Sequence, residues 1–153
     1  MSEPLHGALA EVLYSHAISA LARSYAPYSR FRVAAALRAS GGSITVGVNV
    51  ENAAYPQSLC AERSAVVTAV SLGLRAFTDV AIAYVDDAGK SGGAFIRPCG
   101  GCLAVLHEFS PDGSLWVHCL NAMGEADVRQ LKELLPLPFE FRASESGIGS
   151  GGQ

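Results

Sequence analysis

The stretch Val80-Ala81-Ile82-Ala83-Tyr84-Val85 alternates larger and smaller side chains yet is apolar on both of its faces. A strand with that pattern is covered on both sides, so it predicts the buried centre of a sheet rather than a wetted edge. Just upstream, Ala61 to Leu72 reads as a helix with Gly73 as its stop. Downstream, after a loose loop from Asp86 to Gly93, a second helix is expected from Cys99 to Phe109. Pro111-Asp112-Gly113 then turns the chain into a short strand over Leu115 to Leu120. Strands joined through helices imply crossover connections and parallel neighbours.

Working outward to the start, Leu5, Ala8, Leu9, Val12, Leu13, Ala17, Ala20 and Leu21 recur at three- and four-residue spacing after Pro4. That spacing predicts an amphipathic helix to about Ser24. Tyr25-Ala26-Pro27-Tyr28-Ser29 is a turn-rich connection, because proline disfavours helical angles at the residue before it. Phe31 to Ala39 and Ser43 to Asn49 flank Ser40-Gly41-Gly42 as a β-hairpin, and an irregular stretch runs from Glu51 to Leu59. Toward the other end, Ala126 and Val128 allow an edge strand before a short helix ending at Pro136. The expected architecture is a mixed α/β sheet layered between helices, with residues 1–142 as one domain. The Ser- and Gly-rich segment 143–153 is expected to be a disordered tail.

A chain of 153 residues is long enough to bury about 68–70% of its unfolded surface as a single domain. Charged residues make up 16%, against about a quarter in typical domains, while half of the chain is hydrophobic. So little charge predicts that part of the surface is covered by copies of the same chain. The formal charge of -3, with no basic block, argues against a nucleic-acid partner. No apolar run reaches the ~18 residues of a membrane span, and the start of the chain lacks the charge pattern of a signal peptide. A cytoplasmic location follows as an expectation, and there four cysteines are expected to be thiols or metal ligands rather than bridges.

Cys60-Ala61-Glu62 and Pro98-Cys99-Gly100-Gly101-Cys102 carry the chemistry. Cys99 and Cys102 are three apart, so at the start of a helix both sulfurs share one face and can grip one ion. By itself CxxC also fits a redox motif or half of a structural zinc site. Cys60 falls where a loop meets a helix, which lets Glu62 reach across the first turn. Both segments place cysteines at helix N-termini, where the dipole and free N–H groups favour thiolate. Three sulfurs leave one tetrahedral position for water, the pattern of catalytic zinc. Three thiolates blunt the acidity of the metal; Arg63 is a candidate to withdraw charge from them, or else an ordinary surface arginine. The competing arrangement is a closed structural site with Cys119 as fourth ligand, although a buried thiol is the plainer expectation for Cys119.

These residues, together with Asn49-Val50-Glu51-Asn52-Ala53-Ala54-Tyr55-Pro56, closely resemble the small, homotetrameric zinc cytidine deaminases. Tyr25-Ala26-Pro27-Tyr28-Ser29-Arg30-Phe31 and Glu133-Leu134-Leu135-Pro136 match the same family, so the resemblance spans about residues 5 to 140. It implies a three-layer α-β-α sandwich around a five-stranded mixed sheet, one zinc per subunit on Cys60, Cys99 and Cys102, and a homotetramer with shared sites. The implied reaction is attack of zinc-held hydroxide on C4 of cytosine in cytidine or deoxycytidine, with Glu62 shuttling the proton. The resemblance makes Asn49 and Glu51 ribose binders, where the residues alone favour an Asx-type turn. Phe31 becomes the ring against the pyrimidine, or else core, and Ala61 offers its N–H to the base carbonyl. Tyr55 and Phe139 match residues that reach a neighbouring subunit's pocket.

Two departures stand out. Leu103-Ala104 follow Cys102 where the family usually has arginine, which removes a positive charge near the pocket or interface. Ala34 follows Val33 where glycine is common, which is expected to alter the pocket width. Residues 122–129 also match the family poorly. These departures leave room for a related aminohydrolase acting on a modified cytosine nucleoside such as blasticidin S. A non-catalytic, zinc-stabilised binding protein is the reading from another class, and Glu62 weighs against it. His6, His16, His107 and His118 lack ligand spacing to one another and are read as satisfied or exposed.

Overall fold

In the computed structural model, which describes residues 3–87 and 93–141, the apolar stretch lies within a strand running from Phe77 to Val85. In chain order the α-helices and strands are α1 (Gly7–Ala20), β1 (Arg32–Ala39), β2 (Ile44–Val48), α2 (Ala61–Ser71), β3 (Phe77–Val85), α3 (Gly100–Glu108), β4 (Trp116–Leu120), β5 (Ala126–Gln130) and α4 (Leu131–Leu134), with short 3-10 turns at Leu21–Arg23, which continue the first helix toward Ser24, and at Tyr55–Gln57. The strands form one sheet in the order β2-β1-β3-β4-β5, with β3 in the middle. β3 and β4 are parallel, while β1 is antiparallel to both β2 and β3, and β4 is antiparallel to β5. The crossover through α2 therefore skips over β1, so the parallel neighbour expected of β3 is found only on its β4 side. The expected tail 143–153 and most of the loop between Asp86 and Gly93 lie outside the described residues.

Alternation along the strands divides the core in two. Ala35, Leu37, Val80, Ile82 and Val117 pack against Ala61, Ala65 and Ala69 of α2 and Leu103 and Leu106 of α3. On the opposite face Ala36, Ala81, Ala83 and Leu120 meet Leu13 and Ala17 of α1. The result is a helix layer on each side of the sheet, as expected. Alanines on the α1 face allow the helix backbone to come close, and Gly47 of β2 does the same for α2.

The α1 face also holds a buried polar relay. Tyr14 lies 2.9 Å from His118 Nδ1, and His118 Nε2 lies 3.0 Å from Asp79 Oδ1. Both contacts are satisfied when Nε2–H donates to the carboxylate and Nδ1 accepts from the tyrosine hydroxyl. Arg38 adds its charge 3.9 Å from Asp79 Oδ2. His118 is thus a satisfied core histidine that ties α1 to β3 and β4. Burial pushes the Tyr14 pKa up, with the charges of Glu11 and Asp79 adding to the effect.

Candidate active site

Cys60 and Cys99 occupy equivalent places, each in extended conformation immediately before the first residue of its helix, α2 or α3. The two helix starts converge on the same side of the sheet. Cys102 follows in the first turn of α3 and is fully buried. Cys99 Sγ lies 3.5 Å from Cys102 Sγ, and all three sulfurs lie within 4.8 Å of one another. Tetrahedral zinc with bonds of about 2.3 Å sets its sulfurs about 3.8 Å apart, so the cluster fits the ion. Cys119 is elsewhere: it sits in β4 opposite Asp127 of β5, buried among the core residues, and is not part of the cluster. The closed four-sulfur arrangement is not formed among the described residues.

The cysteines differ electrostatically. For Cys99, burial raises the pKa, but the N–H groups of Cys102 and Gly101 and the neighbouring thiols outweigh it and hold the thiol below its ordinary value. For Cys60 and Cys102, burial dominates and pushes the thiols up, with the nearby Glu62 charge adding to it. The lowered thiol pKa expected at both helix starts is found at Cys99 and not at Cys60, where burial outweighs it. Metal binding to such a set displaces protons, since the ligands must be thiolates.

Glu62 is buried in the first turn of α2. Burial raises its pKa, and hydrogen bonds from its own backbone N–H and from the Cys102 thiol oppose that rise. An acid held beside the sulfurs, with its pKa moved toward neutrality, is suited to exchanging protons at pH 7. Arg63 is exposed and makes no hydrogen bond or ion pair with the sulfurs here.

A cavity of about 530 Å³ opens at this cluster. Cys60, Ala61, Glu62 and Cys99 line it together with Asn49, Glu51 and Tyr55. Val33 lines it as well, whereas Ala34 is fully buried and shares the opposite, α1-facing side of β1 with Ala36. The methyl at Ala34 therefore points away from the cavity, and the expected effect on its width is not seen. Leu103 packs into the core under α3, so the residue after the CxxC pair fills apolar space at this position.

The Asn49 side chain is heavily used within the chain. Its Oδ1 accepts from Val33 N–H at 2.8 Å and from the Ser24 hydroxyl, and its Nδ2 donates to the Phe31 carbonyl at 2.8 Å. Phe31 is half-buried, its ring 5.4 Å from that of Tyr84, and it is not among the cavity-lining residues. Tyr55 lines this chain's own cavity while remaining 72% exposed. Phe139 is 87% exposed and lies instead at a second cavity with His107 and Glu140. Sequence reasoning assigned no role to Tyr28 and Ser29, yet both line the main cavity. Their signal was present in the Tyr25–Phe31 block.

Fold and site together define an α/β domain with a zinc-fitting cluster of three sulfurs, a buried acid beside it and a cavity lined by both. Residues 9–128 match the family model described as the cytidine and deoxycytidylate deaminase zinc-binding region, and the chain belongs to that family. It is 40% identical over 129 residues to the cytidine deaminase of Sporosarcina psychrophila, covering 84% of this chain and 90% of that one. With the cytidine deaminase of Mycobacterium tuberculosis H37Rv it shares 37% identity over 128 residues, covering 84% and 87%. The crystal structure of the cytidine deaminase from Burkholderia pseudomallei superposes with a TM-score of 0.76 at 36% identity, covering 84% of this chain and 98% of that one. No helix of the described residues is long and apolar enough to cross a membrane.

Proposed function

We propose that this protein hydrolyses cytidine and deoxycytidine to uridine and deoxyuridine, releasing ammonia, as a step of pyrimidine salvage. The observation that carries the proposal is the buried Glu62 beside three convergent sulfurs at the end of a cavity. When bound by Cys60, Cys99 and Cys102, zinc supplies the Lewis acidity that makes water a competent nucleophile near neutral pH. The Glu62 carboxylate takes a proton from that water and delivers it to the ring nitrogen. It then carries a proton to the departing amino group, so that ammonia leaves. Ala61 N–H, at the start of α2 where helical N–H groups lack partners within the helix, donates to the base carbonyl. Asn49 and Glu51 receive the sugar; Glu51 keeps its charge because the Ser29 hydroxyl holds its pKa below the usual value. In this reading Phe31 and Arg63, neither of which lines the cavity of the single chain, turn toward it when substrate and zinc are bound, Phe31 against the base and Arg63 toward the thiolates.

The assembly in this reading is a homotetramer in which Tyr55 and Phe139 complete sites on neighbouring subunits. The exposure of Leu137, Phe139 and Phe141, each above 80%, supports it, since such side chains gain by being covered. A free nucleoside suits a chain of charge -3 better than a polynucleotide does. Four unbridged cysteines suit a reducing, cytoplasmic location.

The test joins metal analysis to an ultraviolet assay of cytidine, with blasticidin S beside it. One zinc per chain and turnover of cytidine are expected. Zinc without turnover of cytidine would reject the proposal. Light scattering of the purified protein tests the tetramer.

A further inference from the structure

The loop between α1 and β1 is bound to Glu51, in the cavity lining, through two backbone N–H groups and one hydroxyl. Glu51 Oε2 accepts from the N–H groups of Tyr28 at 2.8 Å and Ser29 at 3.2 Å. Its other oxygen, Oε1, accepts from the Ser29 hydroxyl. The same Ser29 Oγ accepts from Phe31 N–H at 3.1 Å. A serine hydroxyl has one proton to give and lone pairs to receive, so Ser29 donates to the carboxylate and accepts from the strand entrance at once. The chain reaches this geometry by turning through Arg30, which at φ 57° is the only non-glycine residue with positive φ among those described. A left-handed arginine is uncommon and persists where its surroundings hold it.

We propose that Ser29 is a positioning residue that couples the Glu51 carboxylate to the backbone of Phe31 and so sets how tightly the sugar is held. The inference rests on the reading of Glu51 as a ribose binder. Each carboxylate oxygen has two lone pairs, so Oε1 can take a sugar hydroxyl while Ser29 fixes its direction. Without the hydroxyl, the carboxylate keeps only the N–H donors on Oε2 and is free to swing. Phe31 N–H loses its acceptor in the same step. Ser29 is exposed, so its replacement leaves the core untouched.

The experiment measures KM and kcat of Ser29→Ala, Ser29→Thr and Glu51→Ala on cytidine and on 2′,3′-dideoxycytidine. Ser29→Ala is expected to raise KM for cytidine about tenfold with kcat within about twofold, the size of one lost hydrogen bond to a charged group. On the dideoxynucleoside the same change should leave KM unaltered, and Ser29→Thr should restore most of the affinity for cytidine. A KM unchanged in Ser29→Ala but raised in Glu51→Ala overturns the role of Ser29 and keeps that of Glu51. Equal increases for both substrates also overturn it, because they report a deformed pocket. If Glu51→Ala leaves the KM of cytidine unchanged, the ribose reading itself fails and the inference with it.

Discussion

Gly47 of β2 faces Ala65 of α2 so closely that a Cβ on the glycine would lie 2.1 Å from the Ala65 nitrogen and 2.5 Å from the Ala61 oxygen. The backbone of α2 rests directly on the strand, and that contact sets the height at which Cys60, Ala61 and Glu62 meet the cavity. Gly47→Ala must push the helix away. A loss on the order of 1–3 kcal/mol in stability is expected from such overpacking, together with weaker zinc binding. Urea unfolding and zinc titration of the variant measure both, and unchanged values would show that α2 yields without moving the site.

Glu62→Gln keeps the size of the side chain and a hydrogen-bonding group beside Cys102 but removes the proton carrier. Zinc content and nucleoside binding should remain near those of the parent, while kcat falls by at least about 10²–10⁴-fold. Metal analysis, isothermal titration with cytidine and single-turnover assays separate these effects. Retained turnover would assign the proton to another group.

Cys119 lies in the core, and burial pushes its thiol up to about 12, with the Asp127 and Glu62 charges adding to the rise and Arg97 opposing it. It is a neutral, packed side chain near neutral pH. Cys119→Ala should leave zinc content and kcat unchanged and lower the Tm by a few degrees through the small cavity it opens. Loss of zinc in this variant would mean that a fourth sulfur reaches the metal.

The Tyr14–His118–Asp79 relay is nearly closed to solvent at His118 and Asp79, 0% and 3% exposed. Asp79→Ala leaves the His118 Nε2–H without its acceptor and should cost about 1–3 kcal/mol. Calorimetry of the variant reads that as a drop of several degrees in Tm, with little change in kcat at temperatures where it stays folded.

Tyr14 adds an alkaline limb. Its folded pKa is raised, so the unfolded chain ionises first as pH climbs past about 10. The stabilising contribution is complete below that pH and is lost as pH rises through the folded pKa. Tyr14→Phe should flatten this limb in a plot of unfolding free energy against pH. An unchanged limb would place the titration in another group.

The sequence by itself determined the elements and the metal set. Apolar residues on both faces of 80–85 marked the central strand, because a covered strand has no polar side, and CxxC at a helix start placed two sulfurs on one face, because helical spacing is local. That Cys60 joins this pair was read from its place at the start of a second helix and supported by the order of the family's motifs, whereas the approach of its sulfur to the other two is a product of the packing of α2 against α3. Long-range contacts decided the rest. Which side of β3 received a parallel partner depended on β1 inserting between β2 and β3, and no local pattern encodes that. Arg63 at the α2 surface, Ala34 on the side away from the cavity, Cys119 in the core and the shared use of Asn49 all depend on which elements pack together. Burial likewise set the opposite pKa directions of Cys99 and Cys102, since desolvation is a property of the packed chain and not of the motif.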